Sequence, residues 1–162
     1  MWVPTAILTE VGTFGTGPFD SDDALDLVDQ LTDQPGQHDE VLRRLLYRVR
    51  DRPGSLDREF SAGEVLAAAA IVAASLPGGE GIQQKLDDLA YDVDAILIPA
   101  PDGELIDAAR QALLFVAGRD GAWHAGWINP ETATQARQTS NHLAAIFLGE
   151  QHSRDQQLPL EF

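Results

Sequence analysis

The run Ser61-Ala-Gly-Glu-Val-Leu-Ala-Ala-Ala-Ala-Ile-Val-Ala-Ala-Ser-Leu76 decides the fold. It opens with Ser61 and Glu64 at capping-box spacing: the serine hydroxyl can accept from the Glu64 backbone amide, and that carboxylate can reach back. Behind the box the chain is apolar on every side from Val65 to Ala74. A helix over Ala62 to Leu76 with no wet face belongs in the middle of a bundle, and its alanines let neighbouring helices approach closely. Pro77-Gly78-Gly79 then ends it.

Working outward, every other structured segment has a helical period, and none alternates as a strand should. From Asp22 to Leu31, Ala24, Leu27, Val28 and Leu31 fall on one helical face, with Asp22, Asp23, Asp26 and Asp29 away from its centre. Pro35-Gly36 breaks the chain before a second helix over Asp39 to Arg50. Its buried stripe is Val41, Leu42, Leu45, Leu46 and Val49. Beyond the central helix comes a weaker segment with Ile82, Leu86 and Leu89 at helical spacing, and then Ala95-Ile-Leu-Ile-Pro99, which reads as a short extended piece. A helix over Gly103 to Ala117 turns Leu105, Ala109, Ala112, Leu113 and Val116 inward, with Gly118 as its C-cap. Asn129-Pro130-Glu131 starts the last helix, which carries Ala133, Ala136, Ser140, Leu143, Ala144 and Phe147 on one face and is expected to stop at Gly149. The expected architecture is all-α: a single bundle of five or six helices around the alanine-rich one, entered through a glycine-rich loop. Residues 1–11 read as an N-terminal extension, 12–149 as the helical domain and 150–162 as a loose polar tail.

Composition narrows the functional classes. The 162 residues contain no cysteine, which removes disulfides, thiolate zinc sites and thiol catalysis. No apolar run approaches the roughly 20 residues of a membrane helix. Met1 to Leu8 has no basic residue ahead of its apolar ones, so a secretory signal is not expected and the cytoplasm is the default location. The formal net charge is −15, from 26 acidic and 11 basic side chains. Such a chain is repelled by nucleic acid and by anionic membranes and attracted to a basic partner. The charge is also uneven. Nine carboxylates precede the first basic residue, Arg43, and six arginines follow between Arg43 and Arg58. That leaves open a pairing of the acidic N-terminal part with the arginine segment. Lys85 is the only lysine.

Candidate chemistry is sparse. In Gly12-Thr-Phe-Gly-Thr-Gly-Pro-Phe-Asp-Ser-Asp-Asp-Ala-Leu-Asp26 the last glycine is followed by Pro-Phe-Asp, where a phosphate loop needs lysine and Ser/Thr. Asp20, Asp22 and Asp23 are hard-cation ligands in type. A calcium loop, however, would need oxygen, glycine and glutamate where Ala24, Leu25 and Leu31 stand. The helix-entry reading accounts for more. Asp20 or Ser21 caps, Asp22 and Asp23 meet the positive end of the helix dipole, Phe19 staples onto the first apolar turn, and the glycines let the loop fold Phe14 back. The histidines His38, His124, His142 and His152 show no metal spacing. Trp123 and Trp127, flanking His124, read as an aromatic packing or contact cluster.

The same stretch resembles the N-terminal signature of the bacterial domain of unknown function 4259 family. That signature runs Gly, small, Trp, Gly, any, Gly, Pro/Ala, Phe, acid/Asn, Asn/Ser, Asp, Asp/Glu, Ala. The matching positions are Gly12, Phe14, Gly15, Gly17, Phe19, Asp20, Asp22, Asp23 and Ala24, with Phe14 where Trp is common. Similarity extends through Glu59 to Glu64 and the alanine-rich helix, and through Leu105 to Val116 with the Trp-containing segment after it. Met1 to Glu10 precede the family's usual start and look like an extension, or an upstream start choice with Val11 as initiator. The resemblance implies a small, mostly helical bacterial protein without assigned activity, cofactor or catalytic residues. Two functional expectations follow from the residues. The first is an acidic protein-binding module, immunity-type or regulatory, using Asp22, Asp23, Asp26 and Asp29 with Trp123 and Trp127 as anchors and needing no cofactor. The second is a carboxylate-based metal-dependent hydrolase using Asp20, Asp22, Asp23 and His124.

Overall fold

A computed structural model describes residues 17–34, 36–56, 58–117 and 130–157. Among them lie seven α-helices: α1 (Asp22–Asp33), α2 (His38–Asp51), α3 (Ala62–Ala74), α4 (Glu80–Asp88), α5 (Val93–Ile96), α6 (Gly103–Ala117) and α7 (Pro130–Gln157). A single 3-10 turn, Pro53–Ser55, follows α2. No strand forms among the described residues, only an isolated bridge between Leu56 and Phe60.

Helix α3 is the axle. Every residue from Val65 to Ala74 is 0% exposed, and α1, α2, α4, α6 and α7 all pack against it. The forward half of its capping box is formed, Glu64 N–H donating to Ser61 Oγ at 3.1 Å, and the Ser61 amide lies near enough to favour the ionised Glu64 carboxylate. The turn after it is equally tight. A Cβ at Gly79 would sit 2.2 Å from the Ala73 carbonyl oxygen and 2.7 Å from Ala74 Cα. Only glycine lets the chain double back so closely onto the end of α3.

The amphipathic helices bury the stripes their spacing predicts. These are Ala24, Leu27, Val28 and Leu31 on α1 and Leu42, Leu45, Leu46 and Val49 on α2, where Val41, also expected on the stripe, is only half-buried. On α6 they include Leu105, Ala109, Ala112, Leu113 and Val116. On α7, Ala136, Leu143 and Phe147 are buried together with Ile146, while Ala133 and Ala144 of the expected face are half-buried. Ser140, also buried there, donates to the Arg137 carbonyl, so its hydroxyl is satisfied.

Two expectations are corrected. The Ala95 to Pro99 run begins helical, since α5 ends at Ile96; Leu97 is extended, and Ile98 N–H donates to Ser75 Oγ at the end of α3. Nor does α7 stop at Gly149. It continues to Gln157, because one glycine costs a helix only about 1 kcal/mol relative to alanine and five of the eight residues beyond it, Glu150, Gln151, Arg154, Gln156 and Gln157, are good helix formers.

Helix α4 ends in a Schellman turn. Tyr91 N–H donates to the Leu86 carbonyl and Ala90 N–H to that of Asp87. The turn forces Ala90 to φ 68°, a left-handed conformation that an alanine adopts only against a steric penalty. The return is positional: Tyr91 is delivered towards α1.

Candidate functional site

The entry to α1 is built by division of labour between two neighbours. Ser21, extended and buried, is the N-cap, and its Oγ accepts from Ala24 N–H at 3.1 Å. Asp20 closes the preceding turn instead, its Oδ2 accepting from Gly17 N–H at 2.8 Å. Phe19 is buried in the core cluster, as a residue stapling the helix entry should be. The cap is also wedged against α3, because a Cβ at Gly63 would meet Ser21 Oγ at 2.8 Å. Gly63 therefore brings the first turns of α1 and α3 together. Gly12, Phe14 and Gly15 lie outside the described residues, as do Trp123, His124 and Trp127.

From this anchored entry α1 turns Asp22, Asp23, Asp26 and Asp29 to solvent. Asp22 and Asp23 sit in the first turn, where the helix dipole favours negative charge. Asp29 and Asp33 lie towards the C-terminal end, where the dipole opposes it. The helix has no basic residue in its last turn to offset them. Helix stability alone would not select that distribution.

The arginines do not come to the rescue. Among the described residues, each ion pair of the segment Arg43 to Arg58 is made elsewhere. Arg43 pairs with Asp39 at 3.0 Å and with Asp102 at 2.5 Å. Arg44 takes Glu40 and Arg50 takes Asp51 and Glu104. Arg48 and Arg52 share Glu59. The pairing of the acidic N-terminal part with the arginine segment, left open by the sequence, forms only at its edge within the described residues: Asp39 and Glu40, the last two of the nine carboxylates, take Arg43 and Arg44, while no ion pair reaches the aspartates of α1. The i, i+4 spacing of Asp39–Arg43 and Glu40–Arg44 satisfies those arginines within α2 itself. Asp102 adds a tertiary tie between α2 and α6: it accepts from Leu105 N–H at 2.8 Å as it meets Arg43. The Arg43 guanidinium and that amide hold the Asp102 carboxyl below its ordinary range.

Beside the acidic face runs a polar cleft of about 450 Å³, lined by Asp23, Asp26, Arg58, Glu59, Phe60, Ser61 and Glu64. A second hollow of about 210 Å³ lies on the other side of Glu59 and Glu64, against Arg44 and Arg48 of α2. Burial pushes the Glu64 carboxyl above its ordinary range, and the fields of Asp23 and Asp26 push the same way; the Ser61 amide and Arg48 oppose them. At the far end of the face, Tyr91 OH donates to Asp29 Oδ1 at 2.7 Å. Partial burial and then the Asp29 bond push the tyrosine up to about 12. Two elements thus brace the face, α3 at one end and the Schellman turn of α4 at the other, without neutralising it.

Sequence reasoning placed the four aspartates on an exposed face but missed Glu64 and Tyr91 as its neighbours. Glu64 was visible only as a cap, and its position beside Asp23 and Asp26 depends on how α1 meets α3. The small residue Gly63 was the available signal. Among the described residues, no three of His, Asp and Glu are placed to hold a metal ion. No helix among them is long and apolar enough to cross a membrane.

The fold and face together define a small all-α domain with an acidic helical surface. The sequence profile of the family described as Domain of unknown function (DUF4259) matches residues 12–139. The chain belongs to that family. No curated protein and no solved structure matches it.

Proposed function

We propose that this chain is a protein-interaction module of the bacterial cytoplasm that presents the carboxylate face of α1 to a basic partner protein, as an immunity-type neutraliser or a regulatory binder. One observation carries the reading: the arginines between Arg43 and Arg52 are all engaged by acids outside α1, and although Arg58 shares the cleft with Asp23 and Asp26, no ion pair among the described residues reaches Asp22, Asp23 or Asp26. Charges left unpaired on a braced helix steer an oppositely charged protein and raise its association rate. The same field repels nucleic acid and anionic membranes. Trp123 and Trp127 are the aromatic residues suited to anchor such a contact. Nothing in this reading requires a cofactor.

The test is affinity capture from the native host with three baits. These are the wild-type chain, a variant carrying Asp22→Asn, Asp23→Asn, Asp26→Asn and Asp29→Asn, and a variant neutralised instead at the exposed Asp87, Asp88, Asp92 and Asp94. The expected result is a basic protein retained by the first and third baits, lost from the second, and released by moderate salt. Absence of a basic protein at low salt, or equal retention by the α1 variant, refutes the proposal.

A further inference from the structure

Away from α1, a cleft of about 410 Å³ opens between α4 and α7 beside Pro18. Its floor is apolar: Pro18, Ile82 and Leu143 are all buried. Its polar groups are Lys85 from α4 and Gln135, Gln138, Thr139 and His142 from α7. Among the described residues, no aspartate or glutamate lines it. In a chain with 26 acidic side chains that omission is informative, all the more because the two polar clefts beside α1 each contain carboxylates. Lys85, the chain's only lysine, stands at this cleft, and no ion pair among the described residues engages it. The volume lies within the range of about 300–1,000 Å³ that small-molecule sites occupy. The ingredients are those of a ligand site in miniature: an apolar bed, a few hydrogen-bonding amides and a hydroxyl, and one fixed cation at the rim.

We propose that this cleft binds a small carboxylate with a compact apolar body, the body resting on Ile82 and Leu143 and the carboxylate meeting Lys85, with His142 and Gln138 as further hydrogen-bonding partners. Charge complementarity selects the anion. The acidic remainder of the surface gives a freely diffusing anion little reason to settle elsewhere. The apolar floor selects against small inorganic anions, which would desolvate that surface without filling it. The site is independent of the α1 face and shares no residue with it.

Benzoate, hexanoate and the neutral isostere benzamide are the probes, titrated into the full chain and followed by amide chemical shifts. Saturable shifts on residues 81–85 and 135–143 are expected for both carboxylates. Benzamide should bind at least roughly tenfold more weakly, as should benzoate to the Lys85→Gln variant, since a charge-assisted hydrogen bond is lost in each case. Lys85 is exposed, so the substitution leaves the fold intact, and an unchanged melting curve checks that. Lack of saturation, shifts centred elsewhere, equal binding of benzamide, or indifference to Lys85→Gln each overturns the proposal.

Discussion

Helices α1 and α3 are nearly the same length, 12 and 13 residues, and they touch, yet they are opposite kinds of object. Helix α3 is sealed on all sides, and its sequence is dictated by volume. Helix α1 is sealed on one side only, and its other side carries aspartates that no ion pair among the described residues compensates. The contrast separates what holds this domain together from what it offers to others. Substitutions in α3 should therefore act on stability, and substitutions on the wet face of α1 should act on interactions.

The largest expected effect attacks the sealed helix. Leu66→Ala, at a position with no exposure, should cost about 2–5 kcal/mol in denaturant unfolding. A loss below about 1 kcal/mol would mean that α3 is not the packed centre. Next comes the joint between the two helices. Gly63→Ala drives a methyl onto Ser21 Oγ, which must leave Ala24 N–H to escape. Loss of that cap should cost about 1 kcal/mol, and hydrogen exchange should show fraying confined to the first turn of α1. Ala90→Gly relieves the left-handed alanine and should stabilise the protein by about 0.5–1 kcal/mol. A destabilisation there would remove the steric account of the Schellman turn.

The smallest effect is a pH dependence. Glu64→Gln leaves the Glu64 N–H bond to Ser61 Oγ untouched, since that donor is backbone, and removes a charge from beside Asp23 and Asp26. The folded state holds the Glu64 proton more tightly than the unfolded chain does. Its ionisation therefore works against folding, and the penalty is in full force above the raised value, fading as pH falls into the ordinary glutamate range. The Gln variant should melt slightly higher than wild type at pH 7, with the difference narrowing towards acid. Asp102 has the opposite sign: its depressed carboxyl adds stability above the ordinary aspartate range and loses it as pH falls through the folded value. A Gln variant that melted lower at pH 7 would show that Glu64 is stabilised by Arg48 more than it is burdened by the aspartates.

Much of the fold was legible because its information is local. The capping box at Ser61, the apolar run behind it and the 3.6-residue stripes of α1, α2, α6 and α7 need no knowledge of neighbours. The acidic face was legible for the same reason. The partners of the arginines were not, because Arg43 meets Asp102 across 59 residues and only the docking of α2 on α6 brings them together. Tyr91 and Asp29 are likewise 62 residues apart. Helix α5 escaped because four residues of Val-Asp-Ala-Ile carry no measurable period. The cleft between α4 and α7 has no sequence signature beyond the solitary lysine at its edge.

The central claim is that the carboxylates of α1 repel one another without an ion pair among the described residues to relieve them, while the arginines from Arg43 to Arg52 serve acids elsewhere. Melting temperature against ionic strength tests it most directly, in two variants of equal net charge. One is neutralised at Asp22, Asp23, Asp26 and Asp29; the other carries Asp39→Asn, Glu40→Gln, Asp51→Asn and Asp102→Asn. Salt should raise the wild-type melting temperature by screening repulsion. The α1 variant should start higher at low salt and respond much less, while the paired-acid variant starts lower and keeps the rise. Identical salt responses in the two variants would show that net charge alone governs the molecule and that the α1 face is nothing special.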